Sequence, residues 1–133
     1  MDTLRAANTI AVVGLSAHAG KPAHDIPLEL SDRGYQVMGV NPFAVPAVGD
    51  VTVVESLMDV PFEIDIVNVF RRSTETDAVI DQVIARKQAR GDVRAVWLQS
   101  GITSREGAAK CAAAGITYIE NMCIAVVQQY VGR

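Results

Sequence analysis

The stretch Thr9-Ile10-Ala11-Val12-Val13-Gly14-Leu15-Ser16-Ala17-His18-Ala19-Gly20-Lys21-Pro22 decides how this chain folds. An uncharged run rich in β-branched residues ends in a glycine, passes a serine and a second glycine, and meets a proline. β-Branched residues suit a strand, glycine suits a tight turn, and a helix is expected to follow from Asp25. The expected unit is strand, loop, helix.

The same unit recurs along the chain. Apolar runs also cover Tyr35 to Val40, Ile64 to Phe70, Arg94 to Leu98 and Ile116 to Ile119. Such continuous runs suit strands buried on both faces of a parallel sheet. Helices are expected over Asp25 to Arg33, with Pro27 in the first turn, and over Ser73 to Arg90. In the second, Ser73 serves as the cap, and Glu75, Asp77, Arg86, Lys87 and Arg90 match the helix dipole. Val79, Ile80, Val83 and Ile84 form its apolar stripe, and Gly91 ends it. Two more helices are expected, from Ser104 to Ala114 and from Ile124 to Tyr130. The segment Asn41 to Pro61 reads as a long connection with a short helix around Glu55 to Met58. Strand and helix alternate, so the expected fold is α/β, a Rossmann-like, doubly wound, five-stranded parallel sheet with helices on both faces. Winding of the first half as in dinucleotide-binding folds implies the order 3-2-1-4-5. With no linker or repeat visible, residues 1–133 read as a single domain.

In such sheets ligands lie at the carboxyl ends of the strands. The unusual residues gather there: Gly14 to Pro22 after the first strand, Asn41-Pro42 after the second and Phe70-Arg71-Arg72-Ser73 after the third. Gln99-Ser100-Gly101-Ile102 follows the fourth, and Asn121-Met122-Cys123 the fifth. At the opposite end Gly34, Gly91 and Gly115 read as plain helix stops.

The first loop departs from known phosphate cradles. Five residues separate Gly14 from Gly20, and Pro22 stands where a Walker loop needs a hydroxyl for magnesium. Ser16 replaces the second glycine of the dinucleotide fingerprint, and Asn41-Pro42 offers no acid for a nicotinamide cofactor's ribose. No aspartate ends the third strand, which argues against a phospho-acceptor domain. A short Gly/Ser loop leading into a helix remains, and it serves a phosphate or a simple turn equally well. Arg71 and Arg72 lie ahead of a helix's positive end, where they are unfavourable unless something anionic compensates. A bound phosphate would do so.

Val12-Val13-Gly14-Leu15-Ser16, Gly34-Tyr35-Gln36-Val37, Val40-Asn41-Pro42, Ser56-Leu57-Met58-Asp59-Val60-Pro61, Val69-Phe70-Arg71-Arg72-Ser73 and Val96-Trp97-Leu98-Gln99-Ser100-Gly101-Ile102 together resemble the stand-alone CoA-binding domain proteins. These are similar to the N-terminal CoA-binding domain of the succinyl-CoA synthetase α subunit. The resemblance runs from about Thr9 to Val127, and its ordered combination is more specific than any one piece. It implies coenzyme A across the carboxyl edge. Gly14, Leu15, Ser16, His18 and Lys21 would hold phosphates, and Asn41 and Pro42 would border the adenosine. Phe70, Arg71 and Arg72 would flank the nucleotide, and Gln99, Ser100, Gly101 and Ile102 would line the pantetheine path. Asn121 and Cys123 would close the site. Two departures stand out: Phe43 and Met122 occupy positions where many relatives carry a basic residue.

No catalytic residue emerges. His18 reads as a loop residue or phosphate neighbour, and His24 as a cap or phosphate contact. Cys123, among Met122, Ile124 and Ala125, reads as a buried apolar thiol, and Cys111 as packing. The two cysteines match no zinc spacing. The net charge of -3 argues against nucleic acid, and no apolar run is long enough to span a membrane. No signal peptide is legible, so a cytoplasmic setting is expected. The expected role is a non-catalytic carrier, sensor or regulatory module for CoA or acyl-CoA. The rivals are an NAD(P)-binding oxidoreductase-type domain and a ligand-free interaction domain. The acyl group and protein partner are not legible, and a homo-oligomer stays open.

Overall fold

The computed structural model of the chain describes residues 2–43 and 47–131. Its strands are β1 (Thr9–Val13), β2 (Gln36–Val40), β3 (Thr52–Val54), β4 (Ile66–Val69), β5 (Ala95–Leu98) and β6 (Thr117–Ile119). All pair in parallel, in the order β3-β2-β1-β4-β5-β6. The sheet therefore has six strands and not the expected five. The extra strand, β3, lies inside the segment taken as a connection, and residues 44–46 of that segment lie outside the described residues. With only three residues, β3 is too short to show a period. Its presence also changes the order, because the strand expected as third is β4, beside β1 and not at the edge. The reversal of winding thus falls between β1 and β4.

Among the described residues, five α-helices complete the fold: α1 (Asp2–Ala6), α2 (Pro22–Asp32), α3 (Thr76–Arg90), α4 (Gly107–Ala114) and α5 (Ile124–Val131). The short α1 was not expected. α2 starts three residues earlier than read, with Pro22 in its first turn, so Asp25 lies inside the helix and does not precede it. Pro27 falls mid-helix and cannot donate to the Ala23 carbonyl one turn back. That carbonyl instead accepts the Ser16 N–H at 3.1 Å, which ties the first loop to α2. Ser73 does not cap α3; a 3-10 turn over Ser73–Glu75 precedes the helix, and Ser73 Oγ accepts the Thr103 N–H. α4 begins at Gly107, after Ser104 has turned its hydroxyl to Asp77.

Alternate residues of the central strands enter different cores, as continuous apolar runs require. Ala11, Val13, Val67, Val69, Val96 and Leu98 pack with Val79, Ile80 and Val83 of α3 and Cys111 of α4. Ile10, Val12, Ile66, Ala95 and Trp97 pack with Leu4 of α1, Leu30 of α2 and Ile124 of α5. Helices therefore cover both faces.

Arg86 corrects a further expectation. It does more than complement a helix dipole, for it is 1% exposed. Its guanidinium donates to the Asp92 carboxylate at 2.8 Å and to the carbonyls of Leu57 (2.7 Å), Val60 (2.9 Å) and Phe62 (2.9 Å). Asp92 also accepts the Ile64 N–H at 2.9 Å. This buried cluster fastens residues 57–64, which no regular ladder holds, to the end of α3. Burial alone would push the Asp92 carboxyl up, but hydrogen bonds from Arg86 and Ile64 outweigh it and hold the carboxyl below its ordinary value.

Asp92→Ala leaves a buried guanidinium unpaired and should cost about 3–5 kcal/mol, read from the midpoint of urea unfolding. Because the folded pKa of Asp92 is lowered, its contribution is complete above roughly pH 4 and is lost as pH falls through the folded value. Acid titration of the parent should therefore show stability falling below about pH 4, and Asp92→Asn should flatten that fall.

Candidate functional site

Every loop expected to carry function leaves the carboxyl edge. The first is held from several sides. Gly14 has φ of +89°, and a Cβ there would come within 3.0 Å of Arg71 Cδ and 3.1 Å of the Phe70 carbonyl. Only glycine allows the chain leaving β1 to pass so close to the chain leaving β4. Beyond it, Leu15 is buried, Ser16 Oγ accepts the His18 N–H at 3.1 Å, and Asp25 accepts the Gly20 N–H at 3.2 Å. The His24 ring lies 2.6 Å from the same Asp25 oxygen and, with the Gly20 N–H, holds the Asp25 carboxyl below its usual range. His18 and Lys21 are exposed.

Several residues expected at the ligand bind their own chain. Asn41 donates to the Leu15 carbonyl at 3.0 Å and accepts the Phe43 N–H at 2.9 Å, so both ends of its amide clamp neighbouring loops. Gln99 is buried, and its side-chain oxygen accepts from Asn68 (3.1 Å) and from the Ile124 N–H that opens α5 (2.9 Å). Asn121, at φ of +54°, accepts the Gly101 N–H at 2.7 Å. Trp97 is fully buried, and its ring nitrogen donates to the Met122 carbonyl at 2.8 Å. Together these bonds hold the last loop against β5.

Arg71 has a resident partner that the sequence reading did not assign. Its guanidinium meets the Glu75 carboxylate through Nε (3.1 Å) and Nη2 (3.2 Å), one helical turn on. The anionic compensation expected from a ligand is thus already supplied for Arg71, and the pairing holds the Glu75 carboxyl below the usual carboxylate range. Arg72 is exposed beside it.

Three adjoining clefts run along this edge. The first, about 520 Å³, is walled by Pro42, Glu55, Ser56, Arg71, Thr74, Glu75 and Gln82 over the floor of Val13 and Val40. The second, about 440 Å³, lies among Gly14, Asn41, Phe43, Phe70, Arg71, Arg72 and Glu75. The third, about 370 Å³, is mostly apolar, with Pro22, Ala23, Ile26, Phe70 and Ile102 beside Lys21, Gln99, Ser100 and Cys123. Arg71 is common to the first two and Phe70 to the last two. The clefts gather Gly14, Lys21, Asn41, Pro42, Phe70, Arg71, Arg72, Gln99, Ser100, Ile102 and Cys123. Leu15, Ser16, His18, Gly101 and Asn121 do not line them and act on loop shape instead.

Cys123 departs from expectation, being half-buried in the wall of the third cleft and not sealed in the core. Cys111 is buried, and desolvation pushes its thiol pKa up. Glu55, Gln82 and Ile26 were not assigned to the site from sequence, and Ser56 entered only within a family stretch. Glu55 stands at the carboxyl end of β3, so its position had no signal until that strand was recognised. Among the described residues no group of His, Cys, Asp and Glu has a metal-binding arrangement, and no helix is long and apolar enough to cross a membrane.

Comparison with known proteins agrees with this architecture. A protein from Bacillus subtilis (strain 168), named uncharacterized protein YneT, is 34% identical over 94% of this chain and 88% of its own length. The solved structure of cell-free ID.343 from Thermus thermophilus superposes with a TM-score of 0.88, covering 98% of this chain and 95% of that one at 32% identity. A hypothetical protein from Pyrococcus horikoshii OT3 gives a TM-score of 0.87 at 27% identity, over 98% of this chain and 89% of that one. Residues 8–129 match the family described as CoA binding domain, and with nearly its whole length inside that match the chain belongs to this family.

Proposed function

We propose that the chain binds coenzyme A or an acyl-CoA along the carboxyl edge of the sheet, as a non-catalytic carrier, sensor or regulatory module. The observation that carries this reading is the run of three joined clefts, the first mixed in character, the second polar and lined by two arginines, the third apolar. Coenzyme A has the same succession, from a nucleotide through a charged pyrophosphate to a thin, largely apolar pantetheine arm. The first cleft, with apolar floor and polar walls, suits the nucleotide. The second, with Arg72 beside Arg71, suits the pyrophosphate, aided by Lys21 and by α2, whose N-terminus faces the same edge. The apolar third cleft suits the arm, whose thiol or thioester would reach toward Cys123.

The loops need little rearrangement to accept such a ligand. Asn41, Gln99 and Asn121 already hold them through side-chain bonds, so less ordering cost falls on binding. A binding role is sufficient to account for the edge.

Isothermal titration of ligand-stripped protein with CoA and with NAD should give saturable binding for CoA and none for NAD. Binding of NAD alone, or of neither, would overturn the reading. Arg72→Ala should weaken CoA binding by about tenfold, the worth of one charge-assisted hydrogen bond, and unchanged affinity would remove Arg72 from the phosphate site.

Iodoacetamide offers a second check. In the native protein it should label Cys123 and spare Cys111, because the latter is buried with a raised thiol pKa. Saturating CoA should slow labelling of Cys123, followed by mass spectrometry. An unchanged rate would place the pantetheine arm outside the third cleft.

A further inference from the structure

The nucleotide end of the cleft is poor in positive charge. Its walls carry two carboxylates, Glu55 and Glu75, and one guanidinium, Arg71, which Glu75 already engages through two hydrogen bonds. The sequence extends this beyond the wall itself. Between Arg33 and Arg71 there is no lysine, arginine or histidine, while Asp50, Glu55, Asp59, Glu63 and Asp65 are all acidic. That span supplies β2, β3 and the loops on one whole side of the cleft. Phe43, next to Pro42, is 72% exposed on the wall of the adjoining cleft and brings no charge. Across the cleft α3 contributes Ala78, Val79 and Gln82, and the turn before it Thr74, all uncharged.

A phosphomonoester on the ribose adds nearly two negative charges. Placed in this cleft, it would face Glu55, while the one guanidinium among the described lining residues already answers Glu75, and like charges at short range repel. A ribose with free hydroxyls suits the same wall, since Glu55 at the carboxyl end of β3 can accept from them. Acids near strand ends serve dinucleotide ribose in this way in related sheets.

We infer that the site selects ligands whose adenosine ribose is unphosphorylated, dephospho-CoA and its acyl forms, at least as well as CoA, with Glu55 setting that selectivity. This rests on the coenzyme A reading above. It goes further in assigning the recognised charge to the pyrophosphate, beside Arg72, and none to the ribose phosphate.

Titrations with CoA and dephospho-CoA at one ionic strength test it. Dephospho-CoA is expected to bind within about threefold of CoA or more tightly, whereas a dedicated phosphate contact would favour CoA by about tenfold or more. A tenfold preference for CoA overturns the inference while leaving the coenzyme A reading intact, whereas binding of neither ligand overturns both. Glu55→Gln, at an exposed position, should move the ratio toward CoA by about two- to fivefold. A ratio unmoved in this variant overturns the assignment of selectivity to Glu55.

Discussion

The backbone leaving β4 passes so close to Gly14 that no side chain fits between them, and this approach sets the rest of the edge. A Cβ on Gly14 would meet Arg71 Cδ at 3.0 Å. The closeness follows from the sheet order, which places β1 and β4 side by side with their connections leaving in opposite directions. A crevice opens where the two connections part. Phe70 and Arg71, at the end of β4, become walls of the clefts on either side. The glycine is therefore a consequence of topology.

The two edges of the sheet handle charge differently. At the amino edge Arg86 is sealed among three carbonyls and Asp92, and every donor it uses is spent on the fold. At the carboxyl edge Arg71 sits in a half-exposed pair with Glu75, and Arg72 is exposed. Solvent screens the second pair, so its exchange for another anion is far less costly than breaking the first. Identical residue types thus serve stability at one end and remain exchangeable at the other.

Polar side chains that a motif reading assigns to a ligand are largely committed elsewhere. Asn41 bridges the first two loops, Gln99 joins β4 to the start of α5, and Asn121 pins the loop after β5. They hold backbone in place so that the clefts keep their shape, and they leave Arg72 and Lys21 exposed beside them. Exposed charge near the crevice then decides what chemistry suits each part, and the acidic side lies toward β3.

The sequence alone determined the alternation of strand and helix, the double-sided burial and the edge at which unusual residues gather. Those features are local: β-branched runs, glycine stops and proline starts act over a few residues. The ordered motifs also pointed to the CoA-binding family, to which the chain belongs. Only the tertiary structure revealed β3, because three residues acquire strand identity through pairing with β2 and carry no period of their own. It alone turned Arg86 from a helix-end charge into the centre of a buried cluster, since its partners lie on segments remote in sequence. It alone paired Arg71 with Glu75, opened Cys123 to a cleft and set Glu55 in the wall of another. Such properties depend on which surfaces meet, and a residue's type and spacing say nothing of that until the sheet is assembled.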